Sequence, residues 1–151
     1  MISAFGMPEE VEPGVISIEP AAVKAVHITR LLADGSGKAG TNADKIMIGT
    51  PRGVPIVLAN PNDLNGLAIT EGVEDALSVH EATGLGAWAA GSASFLPALA
   101  AVVPSYIDFV TIVSDPDQDG KRFARQLEAG LAKRGIEHFM LVWGNRGRNT
   151  V

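Results

Sequence analysis

A chain of 151 residues suits one domain, with or without a small appendage, and 46% hydrophobic against 19% charged content belongs to a folded globular protein rather than a disordered one. The absence of cysteine excludes disulfides, thiolate zinc sites and thiol nucleophiles, and a net charge of −5 argues against a protein that coats nucleic acid nonspecifically. No run approaches the roughly 20 apolar residues of a membrane span, and Met1-Ile2-Ser3-Ala4-Phe5 lacks the basic-then-apolar pattern of a signal peptide. The expected setting is cytoplasmic, without a membrane partner.

The first twenty residues, with Pro8, Pro13, Pro20 and early glutamates, read as a loose lead-in holding one short strand over 15–18. Partial alternation of β-branched residues predicts a strand over 23–32. Asp34-Gly35-Ser36-Gly37 is a turn by composition, and a further strand is expected over 54–58. Asn60-Pro61-Asn62 then marks the clearest boundary in the chain. It divides a small β-rich unit, residues 1–62, from a second unit, residues 63–151.

Beyond that boundary the pattern changes. A short apolar run at 67–70 ends at Glu71-Gly72, a helix is expected over 73–83, and Gly84 follows as its stop. A second apolar run, 87–90, ends at Gly91-Ser92, and a short helix is expected over 95–103. The strongly β-branched stretch 109–113 predicts a strand. Over 121–134 the apolar residues Phe123, Leu127 and Leu131 recur every fourth position, predicting a helix capped by Gly135, and 136–143 predicts a last strand. Strands alternating with helices imply an α/β fold, a parallel sheet with helices on both faces. Such sheets place their chemistry at the carboxyl ends of the strands, where Glu71, Gly91-Ser92 and Asp115 onward all fall.

Charge is segregated along the chain. No Lys or Arg occurs between Gly53 and Gly120, a stretch that holds Glu71, Glu74, Asp75, Asp115, Asp117 and Asp119 among its acids. Basic residues dominate from Lys121 onward. Scattered surface acids explain most of the middle segment, but not three aspartates within five residues, which repel one another unless a cation sits among them. Hard oxygen donors of this type suit Mg²⁺, which takes one or two carboxylates, keeps several waters and engages phosphates. Asp115-Pro116-Asp117-Gln118-Asp119-Gly120 also resembles the opening of an EF-hand loop. However, the twelfth position is Gln126 where a bidentate glutamate is needed, and a strand precedes the loop. A strand followed by Asp-x-Asp also opens phosphatases with an aspartyl nucleophile, which usually carry Thr or Val where this chain has Asp119. The plainest alternative is a helix N-terminus whose surplus acids are favoured by the helix dipole.

Two segments carry a family resemblance. Leu67-Ala68-Ile69-Thr70-Glu71-Gly72-Val73-Glu74-Asp75-Ala76-Leu77, followed by Ile112-Val113-Ser114-Asp115-Pro116-Asp117-Gln118-Asp119-Gly120, resembles a Toprim domain, with its strand-end glutamate and later Asp-x-Asp. Toprim is the catalytic module shared by bacterial-type primases, type IA and II topoisomerases, certain nucleases and recombination mediators. Upstream, His27-Ile28-Thr29-Arg30-Leu31-Leu32, Asp34-Gly35-Ser36-Gly37-Lys38-Ala39 and Lys45-Ile46-Met47-Ile48-Gly49 resemble the small domain that precedes Toprim in phage- and plasmid-type DNA primases and primase-helicases.

The resemblance implies a metal set of Asp115, Asp117 and Glu71, with Asp119 as a further participant, binding Mg²⁺ or Mn²⁺ for nucleotidyl transfer in DNA replication. Glu71 is also the implied general acid or base. Lys38, Lys45, Gly91, Ser92, Lys121, Arg122 and Arg125 are the implied nucleotide and DNA contacts. Partners would be single-stranded DNA, nucleoside triphosphates and a helicase domain or subunit, since the chain shows neither a cysteine zinc module nor a helicase P-loop. A metal-dependent nuclease of the same module, and a DNA-binding Toprim module without catalysis, are the alternatives. Read without the family, Gly35-Ser36-Gly37-Lys38 fails as a phosphate loop and is a hairpin turn with a solvated lysine. Gly91-Ser92 is an ordinary strand-to-helix turn, and the basic helix face is a solvated one. Glu74 and Asp75 read as solvated helix residues, Trp88 and Trp143 as core, and His27, His80 and His138 as isolated. The run Trp143-Gly144-Asn145-Arg146-Gly147-Arg148 departs from the acidic tail motif common in related primases.

Overall fold

The computed structural model describes residues 1–12 and 15–143; residues 144–148 of the terminal run, with Arg146 and Arg148, lie outside that range. At its centre lie two short apolar strands, β7 (Gly66–Thr70) and β8 (Gly86–Ala89), in which every residue is buried. Continuous burial is what a parallel strand covered on both faces requires. β7 pairs in parallel with β8 on one side and with β9 (Phe109–Ser114) on the other, and β10 (Glu137–Val142) extends the parallel set beyond β9.

The helices follow from the crossovers. α1 (Val73–Thr83) joins β7 to β8, starting at Gly72 and ending at Gly84, whose φ of 72° closes the last turn with an N–H bond to the His80 carbonyl. From β8 the chain forms a 3₁₀ turn (Ala93–Phe95) and the one-turn helix α2 (Leu96–Leu99), and passes back across β7 to β9. α3 (Gln118–Lys133) then leads to β10. It buries Gly120, Ala124, Leu127 and Leu131, a stripe spaced by four, three and four that keeps one face on the sheet. Fully burying each leucine contributes roughly 1.5–3 kcal/mol. Because the direction of travel reverses at β7, α1 covers one face of the sheet, against Ala68, Ala87 and Ala89. α2 and α3 cover the other, against Leu67, Ile69, Trp88, Val110 and Ile112. This is the expected α/β arrangement: a largely parallel central sheet with helices on both faces, accompanied by a β-rich N-terminal region.

That N-terminal region is joined to the central sheet. β6 (Ile56–Ala59) pairs antiparallel with β8, and β1 (Ile2–Gly6) pairs with β6. β4 (Val23–Thr29) and β5 (Lys45–Gly49) follow outward, giving a continuous eight-stranded order β10-β9-β7-β8-β6-β1-β4-β5. β2 (Glu9–Glu12) and β3 (Val15–Ser17) form a separate two-stranded ribbon. The lead-in expected over the first twenty residues is therefore corrected: Ile2–Gly6 is a sheet strand whose Phe5 is 0% exposed. α3 also begins three residues before the expected 121, because Asp117 caps it.

Candidate metal and phosphate site

The order of strands puts a switch point between β7 and β9, since the connection after β7 runs to one side and the chain returns on the other. Crevices at such points, beyond the strand carboxyl ends, are where open α/β sheets bind ligands. Thr70 and Val113 are register partners, so Glu71 and Asp115, each just past its strand, emerge side by side.

Glu71 is partly buried, and burial raises its carboxyl above the usual range. The Asp115 carboxylate raises it further and Asp117 adds to this, while the Ala93 amide and Lys45 pull it down. Asp75 is raised in the same way, by burial first and then by Asp115 and Glu74. Glu74 differs. Burial works to raise it, but a hydrogen bond to its own backbone amide and the charges of Lys38 and Lys45 hold it below the ordinary value. These acids crowd because the N-terminus of α1 opens onto the end of β7, so the first helical turn presents Glu74 and Asp75 to the same space as Glu71. Glu74 is exposed, as its place on the helix predicts, whereas Asp75 is partly buried. Both line a cavity of about 210 Å³ with His27, Lys38, Lys45, Glu71, Gly72, Gly91 and Asp115.

Lys45 is the first residue of β5, and Lys38 arrives on the ordered loop between β4 and β5. Asp34 accepts hydrogen bonds from the Ser36 amide (3.0 Å) and hydroxyl (2.7 Å), and Asp44 accepts from the Gly40 and Thr41 amides (both 2.8 Å) and the Thr41 hydroxyl (2.6 Å). These turns hold both aspartates below the usual carboxylate range. Between them Lys38 bridges to Leu31, and its ammonium lies 3.7 Å from the Glu74 carboxylate.

Other residues singled out in the sequence are distributed differently. Asp117 is exposed and its carboxylate accepts from the Gly120 amide at 2.7 Å, making it the N-cap of α3. Asp119 pairs with Arg122 at 3.0 Å on the exposed first turn of α3. Gln118, Asp119, Lys121, Arg122, Arg125 and Gln126 line an open groove of their own. Ser92 lies next to Ser94, their hydroxyls 3.2 Å apart. Gly91 donates its N–H to the Glu71 carbonyl at 2.8 Å with φ at +81°. A Cβ there would lie 2.5 Å from the Phe5 ring. Gly91→Ala is therefore expected to lose about 2–4 kcal/mol from the left-handed backbone and the ring clash together. Urea denaturation checks this; a loss under 0.5 kcal/mol would show that neither constraint matters. His27, read as isolated, is the residue the sequence signals least: the groups around it lie far away in the chain.

The donor set fits a hard divalent cation. Glu71, Asp75 and Asp115 are oxygen donors, and the carboxylates that raise Glu71 and Asp75 would be relieved by a cation among them. Among the described residues no three Asp, Glu or His side chains form a ready-made cage. Mg²⁺ needs none, since it takes one or two carboxylates and retains water. Among those residues, too, no helix is long and apolar enough to cross a membrane.

A family model described as Toprim domain matches residues 66–148, from β7 through the acidic loop and β10. No curated protein and no solved structure matches the chain. Toprim domains generally bind divalent metals and serve functions related to nucleic acids. With the matched span covering more than half of its length, the chain belongs to the Toprim domain family.

Proposed function

We propose that this protein carries out primase-type nucleotidyl transfer on single-stranded DNA, using nucleoside triphosphates and Mg²⁺ or Mn²⁺. The observation that supports this most directly is the cavity itself, where strand-end carboxylates face two lysines across a space open to a ligand. Asp115 and Asp117 would hold the ion with Glu71 beside them, Asp117 using the carboxylate that also caps α3. A divalent ion at such a site supplies polarisation of a phosphoryl oxygen and lowers the pKa of an attacking hydroxyl.

The chain's own residues supply the rest. Lys38 and Lys45 offset the negative charge of a triphosphate. Glu71, whose carboxyl is raised by burial and by Asp115, takes the proton of the attacking 3′-hydroxyl. Lys121, Arg122 and Arg125 track the phosphates of the template or product strand along their open groove. Asp119, paired with Arg122, helps orient that groove. Gly91 and Ser92 form the turn beside Glu71, and the smallness of Gly91 keeps Phe5 and the Glu71 carbonyl in place.

The reading is tested by incorporation of labelled nucleotides on a single-stranded template. Product that requires template, nucleotides and divalent metal is the expected result. Cleavage of labelled DNA with no nucleotides present would replace the primase reading with that of a nuclease. Metal-independent DNA retention without either reaction would leave a binding module.

A further inference from the structure

We propose that His27 donates a ring N–H to a phosphate oxygen at the end of a nucleoside triphosphate held in the cavity between the N-terminal strands and the acidic strand ends. The inference rests on the nucleotide reading above and gives that site a specific buried contact contributed by the β-rich N-terminal region.

The observation behind it is an unpaired donor. β4 turns Ala25, His27 and Thr29 toward the interior, on the face of the sheet that carries Phe5. His27 is 2% exposed and lines the cavity, yet neither of its ring nitrogens has a hydrogen-bond partner. A buried polar group without a partner is destabilising, and a phenyl ring would fill similar space without that penalty. What the imidazole adds is unused hydrogen-bonding capacity in the wall of the ligand space. Burial, and after it the charge of Lys45, hold the ring below its ordinary pKa despite the opposing Glu74. The neutral ring carries one N–H and one lone pair. Lys45, register partner of Thr29 on the neighbouring strand, and Lys38 supply charge on the same side of the cavity, so three groups converge from β4, β5 and the loop between them.

Geometry favours a chain end over a passing backbone. The cavity is small, about 210 Å³, and the donor is almost completely enclosed. A terminal phosphate can enter such a space, whereas a polynucleotide strand needs an open track, which Lys121, Arg122 and Arg125 line elsewhere. Glu71, Glu74, Asp75 and Asp115 share the cavity wall, so an anion without a divalent cation would meet net repulsion. Binding is accordingly expected to depend on the cation.

The test uses the whole 151-residue chain and inorganic triphosphate as the probe, with and without Mg²⁺, by calorimetry. His27→Phe is expected to weaken triphosphate binding roughly 10–100-fold, the loss of a hydrogen bond to a charged group, with thermal stability unchanged or raised. His27→Gln, which keeps an N–H donor, is expected to stay within a few-fold of wild type. In ¹⁵N-histidine spectra, triphosphate should shift a His27 ring nitrogen while a single-stranded oligonucleotide leaves it in place. This spectral readout decides the question even if His27→Phe does not fold. Equal triphosphate binding by wild type and His27→Phe would overturn this inference alone. Failure of wild type to bind triphosphate at all would overturn the nucleotide reading as well. A ring shift produced by the oligonucleotide, or loss of Mn²⁺ binding by His27→Phe without triphosphate, would reassign His27 to the strand or to the cation.

Discussion

Exchanging Glu71 for glutamine is expected to reduce metal-dependent nucleotide incorporation by about 10²–10⁴-fold, the range for removing a positioned general acid or base. The substitution keeps shape and hydrogen-bonding capacity and removes a carboxylate raised by burial and by its neighbour Asp115. Stability should not fall with activity. Glutamine relieves the repulsion among Glu71, Asp115 and Asp117, so the metal-free melting temperature is expected to stay level or rise. Such opposition between activity and stability is usual where like charges are gathered for function. Steady-state incorporation, paired with thermal melting in a chelator, checks both halves. Activity within twofold of wild type would remove Glu71 from the chemistry.

The second large effect concerns the N-terminal strand. Phe5→Ala is expected to destabilise the protein by about 3–5 kcal/mol, a large fraction of the roughly 5–15 kcal/mol that holds a domain folded. Phe5 is fully buried among Ala25, Ile56, Val73, Ala76, Ala87 and Ala89, and its ring fills the space beside Gly91. Few of these neighbours are large, so little is available to collapse into the cavity left behind. Loss of the ring should also loosen the turn whose Gly91 amide bonds the Glu71 carbonyl. Denaturant titration measures the cost; a value under 1 kcal/mol would mean that β1 is only loosely attached.

The strand containing Phe5 is also where sequence reasoning failed, for a definite reason. In Ile2–Gly6 the alternation of polarity runs against burial: Ile2 is 72% exposed while Ser3 is buried. A period-two reading therefore points to the wrong face. β2 is Glu9, Glu10, Val11 and Glu12, all exposed, and carries no apolar period. β5 turns Ile48 outward at 58% exposure. Such strands are set by pairing with neighbours distant in the chain, a tertiary constraint that local pattern does not encode. The central strands β7, β8 and β9 were legible because they are buried on both faces, and the helices because Gly72, Gly84 and Gly135 punctuate them. α1 has the limits expected of it, and α3 differs by three residues at its start, where Asp117 serves as a cap, and by one at its end.

The site divides along the same line. Glu71 and Asp115 were readable because each directly follows an apolar strand. Asp75 was not, because helical position alone does not reveal that the first turn of α1 faces the end of β7. His27 was least readable, since its surroundings are assembled from Lys38, Lys45 and the strand ends of the central sheet. Asp119 shows the reverse. It is part of the sequence cluster, yet its side chain pairs with Arg122 on the exposed helix.

The central claim, a divalent-metal centre at the ends of β7 and β9, is tested most directly by calorimetric titration of Mn²⁺ into wild type and into Asp115→Asn/Asp117→Asn. Asparagine at 117 can still cap α3, so the comparison isolates charge from folding. The account predicts saturable binding by wild type and its loss in the double variant, with helix content unchanged. Equal binding by the two proteins, or none by either, would contradict it.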